Sequence, residues 1–393
     1  MKTKLTIGIF NDSFFPMADG VVMVVDNYAR ELSKVANVIV FVPKYKNEKN
    51  HDSAFPYKVI RCNTFNASCL EYTVPTPKFD KEFMNELSKY KLDIVHIHSP
   101  FMIGKVGLCY AREHNIPCIA TMHSQFKKDF QKIVKKEFLA NILINQIIKT
   151  YDGCDECWAV NSEVARIFFE DYGCKKLPRV MNNATSMEPV ANEINAREIV
   201  NKKYNIKDNE RLFLFVGRIN TLKNILFIVD ALKIVKEKNP SLKFKMLFVG
   251  AGPDEALLKS KIKENKLEKD VFLTGKVMER KMLANIYCRA DLMLFPSAYD
   301  ASSLVQIEAA SQKTPTIFLR NTATASTVTD NVNGFLSDDS VSAYANKILE
   351  VLNNEKLYKK VSNNAYKDLY LTWEDKVKEV HNLYLEIIKK YHK

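Results

Sequence analysis

No apolar run in this chain is long enough to cross a bilayer. The longest, such as Leu212–Val216, are strand-sized, against the roughly 20 residues that a membrane helix requires. The N-terminus, from Met1 to Phe10, begins basic but runs directly into a short strand without a cleavage-site pattern, so a cytoplasmic protein is expected. Cysteine is present but not arranged for chemistry. Of eight residues, Cys62, Cys69, Cys109, Cys118, Cys174 and Cys288 are scattered and read as small buried hydrophobes in a reducing compartment. Cys154 and Cys157 form the one C-x-x-C, with no second ligand pair at a zinc-site spacing. The G-x-G of Gly250 and Gly252 lacks the remainder of a dinucleotide fingerprint, which disfavours an NAD dehydrogenase. Short internal repeats and low-complexity tracts are absent as well.

What is present is an ordinary globular composition on a long chain. The 393 residues are 47% hydrophobic and 26% charged, too many for one core and sufficient for two α/β domains. The formal net charge of +12 calls for an anionic partner: nucleic acid, a phosphorylated substrate or an anionic membrane. The lysines are spread along the chain rather than interleaved with exposed aromatics, so nucleic acid is the weakest of the three.

Strand and helix patterns alternate. Leu5–Phe10, Val38–Pro43, Asp93–His98 and Pro117–Met122 read as strands, with helices predicted over Val21–Lys34, Lys81–Tyr90, Gly104–His114 and Lys127–Lys149. Near-continuous apolar strands separated by helices indicate a parallel sheet covered on both faces. The alternation breaks in a polar stretch at Met187–Asn195, where we place a linker. It resumes with strands at Leu212–Val216, Phe244–Val249, Val271–Thr274, Leu292–Pro296 and Thr316–Leu319. The helices between these strands fall at Ile225–Lys238, Asp254–Asn265, Met282–Arg289 and Val305–Gln312. Two doubly wound Rossmann-like domains in tandem are the economical reading, with ligands at the carboxyl ends of the strands and in the cleft between the domains. The expected boundaries are residues 1–186 and 187–372, with a terminal helix over 373–393 returning to the first domain.

Two turns carry candidate chemistry. After the strand ending at Val216 come Gly217, Arg218 and, opening the next helix, Lys223. A guanidinium fork and a point charge at such a turn can neutralise a diphosphate. Further on, Asp300 follows an apolar strand and Glu308 sits inside the next helix. The strand-to-helix turn between them aims backbone N–H groups at one spot, which suits an anion, and the two acids can grip hydroxyls. Two surface cations, and a capped helix flanked by solvated acids, would leave the same traces.

Taken in order, V-G-R-x4-K-N, V-G-x-G-P, the element Leu273–Val277, A-D-L-M-L-F-P-S at Ala290–Ser297 and D-x7-E resemble the family-4 retaining glycosyltransferases of the GT-B fold. The resemblance spans essentially the whole chain and includes the loop with Gly20, the Asp93–His98 strand and Thr121-Met-His123. It implies that Arg218 and Lys223 hold the diphosphate of a nucleotide sugar and that Glu308 contacts the ribose. Asp300 stands where the first acid addresses the donor sugar. The backbone around Ser302, Ser303 and Leu304, with Gly217, would meet sugar and phosphate. His123 would lie beside the sugar, and Gly20 would keep the first loop close to the phosphates. No Asp-x-Asp occurs, so the resemblance implies cations in place of a metal ion and no other cofactor. The leaving diphosphate, rather than a protein nucleophile, would accept the proton of the attacking hydroxyl.

Three departures from the family pattern stand out. The first acid is Asp300 rather than Glu, Ala301 and Ser303 replace glycines, and Asn183 takes the place of a glycine near the domain junction. They bear on donor preference and activity before they bear on fold.

On the acceptor side, Phe126, Phe130, Ile133, Val134 and Phe138 recur at helical spacing, with Lys127, Lys128, Lys132, Lys135 and Lys136 largely elsewhere on the helix. Such a segment either packs with a solvated lysine face or docks on an anionic membrane to admit a lipid. A hydroxyl acceptor, either a lipid or a glycan precursor, and a peripheral place on the inner face of the cell membrane are therefore expected. A sugar-nucleotide epimerase of the same architecture, or a non-catalytic nucleotide-sugar-binding subunit, are the alternatives.

Overall fold

The structure, a computed structural model, describes residues 4–17, 19–45, 52–65, 73–127, 130–131 and 137–393. The chain forms two compact units. One comprises Met1–Asn183 together with Trp373–Lys393, and the other Ala184–Thr372.

The first unit is built on a parallel sheet of seven strands: β1 (Thr6–Phe10), β2 (Asn37–Pro43), β3 (Lys58–Cys62), β4 (Ile94–Ile97), β5 (Cys118–Met122), β6 (Glu156–Ala159) and β7 (Arg179–Val180). Their spatial order is β3-β2-β1-β4-β5-β6-β7. β1 is hydrogen-bonded in parallel on both sides, Ile9 facing Val40 on β2 and His96 on β4. The central strands are buried on both faces, hence their unbroken apolar sequences. Strands β3, β6 and β7 were not read from the sequence. β7 is two exposed residues, and β3 and β6 interleave apolar with polar side chains, which weakens the periodic signal. The helix expected over Lys127–Lys149 falls partly outside the described residues, and its longest described stretch is Glu137–Asp152. The terminal helix Trp373–Tyr391 belongs to this unit. It buries Trp373, Val377, Val380 and Tyr384, with Trp373 against Tyr28 and Tyr384 stacked on Trp158.

The second unit has six parallel strands: β8 (Arg211–Val216), β9 (Phe244–Val249), β10 (Val271–Gly275), β11 (Leu292–Leu294), β12 (Thr316–Leu319) and β13 (Phe335–Ser337). They lie in the order β10-β9-β8-β11-β12-β13, the doubly wound Rossmann arrangement. Phe213 on β8 faces Met246 on β9 and Leu292 on β11. Leu212, Phe213, Leu214 and Phe215 are fully buried, as are Ile225, Ile228, Val229 and Leu232 on the Ile225–Lys238 helix that covers them. Truncating Leu214 to alanine would cost about 2–5 kcal/mol. The polar stretch read as a linker is irregular only to Asn192. Asn192 then caps a helix over Glu193–Tyr204 whose buried residues are only Ala196 and Val200, too thin an apolar stripe to show in the sequence.

Candidate functional site

In an open parallel sheet, ligands settle where the strand order reverses, beyond the carboxyl ends of the two strands that flank the reversal. In the second unit those strands are β8 and β11. The loop after β8 carries Gly217, Arg218 and Lys223, and the loop after β11 runs from Phe295 to Ser303. Both candidate turns thus end on one crevice.

The β8 loop is shaped by contact with its other neighbour. Gly217 donates to the Val249 carbonyl, Ile219 to that of Ala251, and Asp254 back to that of Ile219. This lacing needs a residue without Cβ at Gly250, where φ is +143° and a Cβ would stand 1.9 Å from the Gly217 oxygen. Arg218 is left exposed. Asn224, in the left-handed region at φ 56°, starts the next helix and ties the two loops by donating from Nδ2 to the Pro296 carbonyl at 2.8 Å.

Lys223 and Asp300 meet across this crevice. The Nζ atom lies 2.6 and 2.8 Å from the two carboxylate oxygens and 5.5 Å from the centre of the Phe295 ring. Both side chains are more than four-fifths buried, at 17% and 19% exposure. The sequence assigns the cation to a diphosphate and the acid to a sugar; in the folded unit each holds the other. Asp300 is aimed by the Ser297 hydroxyl, which accepts from the backbone N–H groups of Tyr299 and Asp300.

Ser303 is the N-cap of the Leu304–Ser311 helix, but its hydroxyl does not cap it. Its Oγ is buried without a partner among the described residues. The first N–H groups of any helix lie outside its hydrogen-bond ladder. A buried orphan hydroxyl beside such N–H groups, on the sheet edge that also carries Arg218 and Lys223, fits an anion. Ser302 and Leu304, on either side, are half-buried.

Glu308, one turn in, is 9% exposed. Oε1 accepts from Arg280 Nη1 at 2.8 Å and Oε2 from the Tyr287 hydroxyl at 3.0 Å. Burial, and the nearby Glu308 charge, push the Tyr287 phenol well above its ordinary value, so it stays a donor. Arg280, which also reaches the Ser186 hydroxyl at 3.4 Å, was missed in the sequence. It lies far from Glu308 in the chain, and only the packing of its helix beside the Leu304–Ser311 helix brings them together. Each carboxylate oxygen keeps a second lone-pair direction for a ligand hydroxyl.

In the first unit the strand order reverses between β1 and β4. Beyond β1, Asp12 accepts from the Ser99 hydroxyl and from the backbone N–H groups of Ile103 and Gly104, which seats the loop after β4. Burial raises its pKa despite these bonds. Gly20 opens the Gly20–Ser33 helix, capped by Asp19. A Cβ there would meet nothing within 4 Å, so no packing within the unit demands glycine. His123 follows β5, and its Nε2 lies 2.9 Å from Nδ1 of His98. Burial pushes its imidazole from 6.5 down to about 3. The C-x-x-C pair is distant chemistry. Cys154 sits 3.8 Å from Cys118 sulfur to sulfur, and neighbouring thiols and burial raise both Cys154 and Cys157 well above the usual thiol value. Protonated thiols of this kind are poor nucleophiles. Among the described residues, no group of three or more acidic, histidine or cysteine side chains is placed to hold a metal ion.

Residues 18–188 match the family described as Glycosyltransferase Family 4, and residues 196–368 match Glycosyl transferases group 1. Among curated relatives, an alpha-monoglucosyldiacylglycerol synthase from Streptococcus pneumoniae is 25% identical over 84% of this chain and 75% of its own. The enzyme of the same name from Acholeplasma laidlawii is 24% identical over 99% of both. Among solved structures, a glycosyltransferase from Rickettsia africae superposes with a TM-score of 0.77 at 19% identity, covering 99% of this chain and 100% of that one. The Anabaena protein HepE in complex with UDP gives 0.78 at 13% identity, over 97% and 100%. These likenesses establish the GT-B fold.

Proposed function

From a chain that belongs to glycosyltransferase family 4, we propose a retaining enzyme that transfers a sugar from a UDP-sugar to a hydroxyl of a membrane lipid and needs no metal ion. The observation that carries this reading is the buried, unpartnered Ser303 hydroxyl at a helix N-terminus on the sheet edge that also bears Arg218 and Lys223. Three independent anion-seeking features on one edge suit a diphosphate. Glu308 then takes the ribose hydroxyls, with Gly217, Ser302 and Leu304 supplying backbone at the phosphates and sugar. Asp300 serves the sugar end, and the resemblance assigns His123 to the sugar and Gly20 to the phosphates.

In the reaction, the bond between the anomeric carbon and the phosphate oxygen breaks and its electron pair leaves with the diphosphate. The acceptor oxygen bonds to the same face of the sugar, and its proton passes to the departing phosphate. Arg218 and Lys223 stabilise the charge that grows on that phosphate, which is the work of preorganised electrostatics. Cations fixed by the fold perform the role for which other transferases recruit a divalent ion.

The lipid acceptor is supported by the relatives' names, which specify diacylglycerol glycosides, and by an apolar patch on the first unit. Phe138, Leu139 and Ile142 are exposed along the outer face of the Glu137–Asp152 helix. That helix follows the lysine-rich segment, much of which lies outside the described residues. An exposed apolar helix face that follows a lysine-rich stretch of sequence suits an anionic leaflet. Among the described residues, no helix is long and apolar enough to cross a membrane.

The test is a thermal-shift series with UDP-glucose, UDP-galactose, UDP-N-acetylglucosamine and GDP-mannose on wild type and Arg218→Ala. Transfer to diacylglycerol in anionic vesicles and the anomeric configuration of the product are then measured. A UDP-sugar should raise the melting temperature by mass action and give an α-linked glycolipid. Arg218→Ala should lose the shift and about 10²-fold in rate. No shift with any nucleotide sugar would sink the reading, as would an epimerised sugar nucleotide, or binding without transfer.

A further inference from the structure

Three histidines stand together at the carboxyl edge of the first sheet. His96 and His98 come from the end of β4 and His123 from just beyond β5. The rings of His96 and His98 are 4.1 Å apart between centroids, and those of His98 and His123 lie edge to edge, 5.2 Å apart with 18° between planes. Tyr28 meets the edges of the first two. His96 and His98 are buried. Burial lowers all three imidazoles, His96 and His123 to about 3, so the cluster is neutral.

The partners of the ring nitrogens differ. His96 is satisfied on both sides by hydroxyls, Nδ1 at 2.6 Å from Tyr384 and Nε2 at 2.7 Å from Thr121. A hydroxyl donates or accepts, so either tautomer of His96 is accommodated. His98 has no such latitude. Its Nδ1 faces His123 Nε2 at 2.9 Å, and its own Nε2 is buried without a partner.

Two neutral imidazoles in contact through ring nitrogens share one proton. Placed on His123 Nε2, it would make His98 the acceptor and force the other His98 proton onto Nε2, a buried N–H facing nothing. Placed on His98 Nδ1, it is used, and only a lone pair at Nε2 goes unmatched. A buried donor without an acceptor is the costlier and rarer defect.

We infer that His98 is a positioning residue that donates from Nδ1–H to His123 Nε2 and thereby fixes His123 as its Nδ1–H tautomer. The consequence for chemistry, which rests on the transferase reading above, is a restriction. With Nε2 of His123 occupied as an acceptor and Nδ1 already protonated, neither nitrogen is free to take a proton. His123 serves as a neutral hydrogen-bond donor to a sugar or acceptor oxygen and not as a general base. This agrees with a reaction in which the leaving phosphate removes the proton.

The tautomer is measurable without any turnover, by long-range proton–nitrogen correlation spectra of protein labelled with 15N-histidine. His123→Gln identifies the His123 signals. The expected wild-type spectrum shows His123 with a protonated Nδ1 and a bare Nε2 at neutral pH. His98→Ala should shift His123 towards the Nε2–H form that a free imidazole prefers. His98→Asn, whose amide N–H falls near the position of Nδ1–H, should restore Nδ1–H. In the transfer assay His98→Ala should lose on the order of tenfold in kcat with little change in donor KM, as removal of a ligand-orienting partner does elsewhere. His98→Asn should regain most of it. A wild-type His123 found as Nε2–H or as imidazolium overturns the inference, and so does equal loss in His98→Ala and His98→Asn. If the protein transfers no sugar, the spectra still decide the tautomer, and only the functional consequence falls with the transferase reading.

Discussion

Replacing Asp300 by asparagine should tighten the binding of UDP. The Lys223 ammonium has three N–H donors, and two point at Asp300 at 2.6 and 2.8 Å. A diphosphate oxygen on the third would lie about 2.8 Å from Nζ and therefore about 5 Å from the carboxylate. At that separation two negative charges repel by about 3 kcal/mol at an effective dielectric constant near 20, and by about 1 kcal/mol in water. The pair is neither dry nor exposed, so a value between these limits applies, and Asp300→Asn should bind UDP roughly 5- to 100-fold more tightly. Lys223→Met should do the reverse. Isothermal titration of UDP against wild type and both variants measures the contrast, and the Asp300→Asn gain should shrink as salt rises. The variant should nonetheless turn over more slowly, because it loses the acid's part in handling the sugar. If Asp300→Asn weakens UDP binding as Lys223→Met does, the two residues form a single phosphate-positioning unit and the competition argued here is wrong.

Other outcomes follow from the same geometry. Tyr287→Phe leaves one oxygen of the buried Glu308 carboxylate without its donor and should cost about 1–3 kcal/mol in urea unfolding of the second unit. Gly250→Ala drives a Cβ into the Gly217 carbonyl, so the UDP-induced thermal shift should disappear together with some stability. His96 titrates from 6.5 to about 3 on burial, so below pH 6.5 the unfolded chain binds a proton that the folded one refuses. Stability is intact above pH 6.5 and falls as pH drops towards 3, by about 2 kcal/mol at pH 5 from this residue alone. Urea midpoints at pH 7 and pH 5 that coincide would contradict the neutral cluster. Phe138→Ser combined with Ile142→Ser should reduce sedimentation with anionic vesicles while leaving UDP affinity unchanged. Transfer in excess EDTA should match transfer without it.

The central strands of the two sheets were legible because they are buried on both faces and read as unbroken apolar runs, as in Leu212–Val216 and Cys118–Met122. β13 and β7 were illegible for the opposite reason. They are two or three residues at a sheet edge, where local propensity carries little information and pairing with a neighbour creates the strand. The Glu193–Tyr204 helix was hidden by its polarity. The second unit's packing holds it through two apolar side chains, and no periodicity survives at that level.

The site divides along the same line. Arg218, Lys223, Ser303 and Glu308 were readable as types at turns, because each sits a fixed few residues from a strand end or helix start. Their partnerships were not readable, because these depend on which strands are neighbours. The loops after β8 and β11 meet only because the sheet order reverses between them, and that order brings Lys223 onto Asp300. The same holds for Arg280 with Glu308 and for His98 with His123. For these last two pairs one partner was found from its motif while the other lies on a different element. The chemistry of the motif residue is then set by the one that was not found. Asp300 illustrates the consequence. A shortened acid suggests lost reach towards a sugar, yet in the folded unit its length suits a bidentate grip on Lys223. On the reading proposed above, the substitution therefore bears on the charge that would greet a phosphate as much as on the sugar.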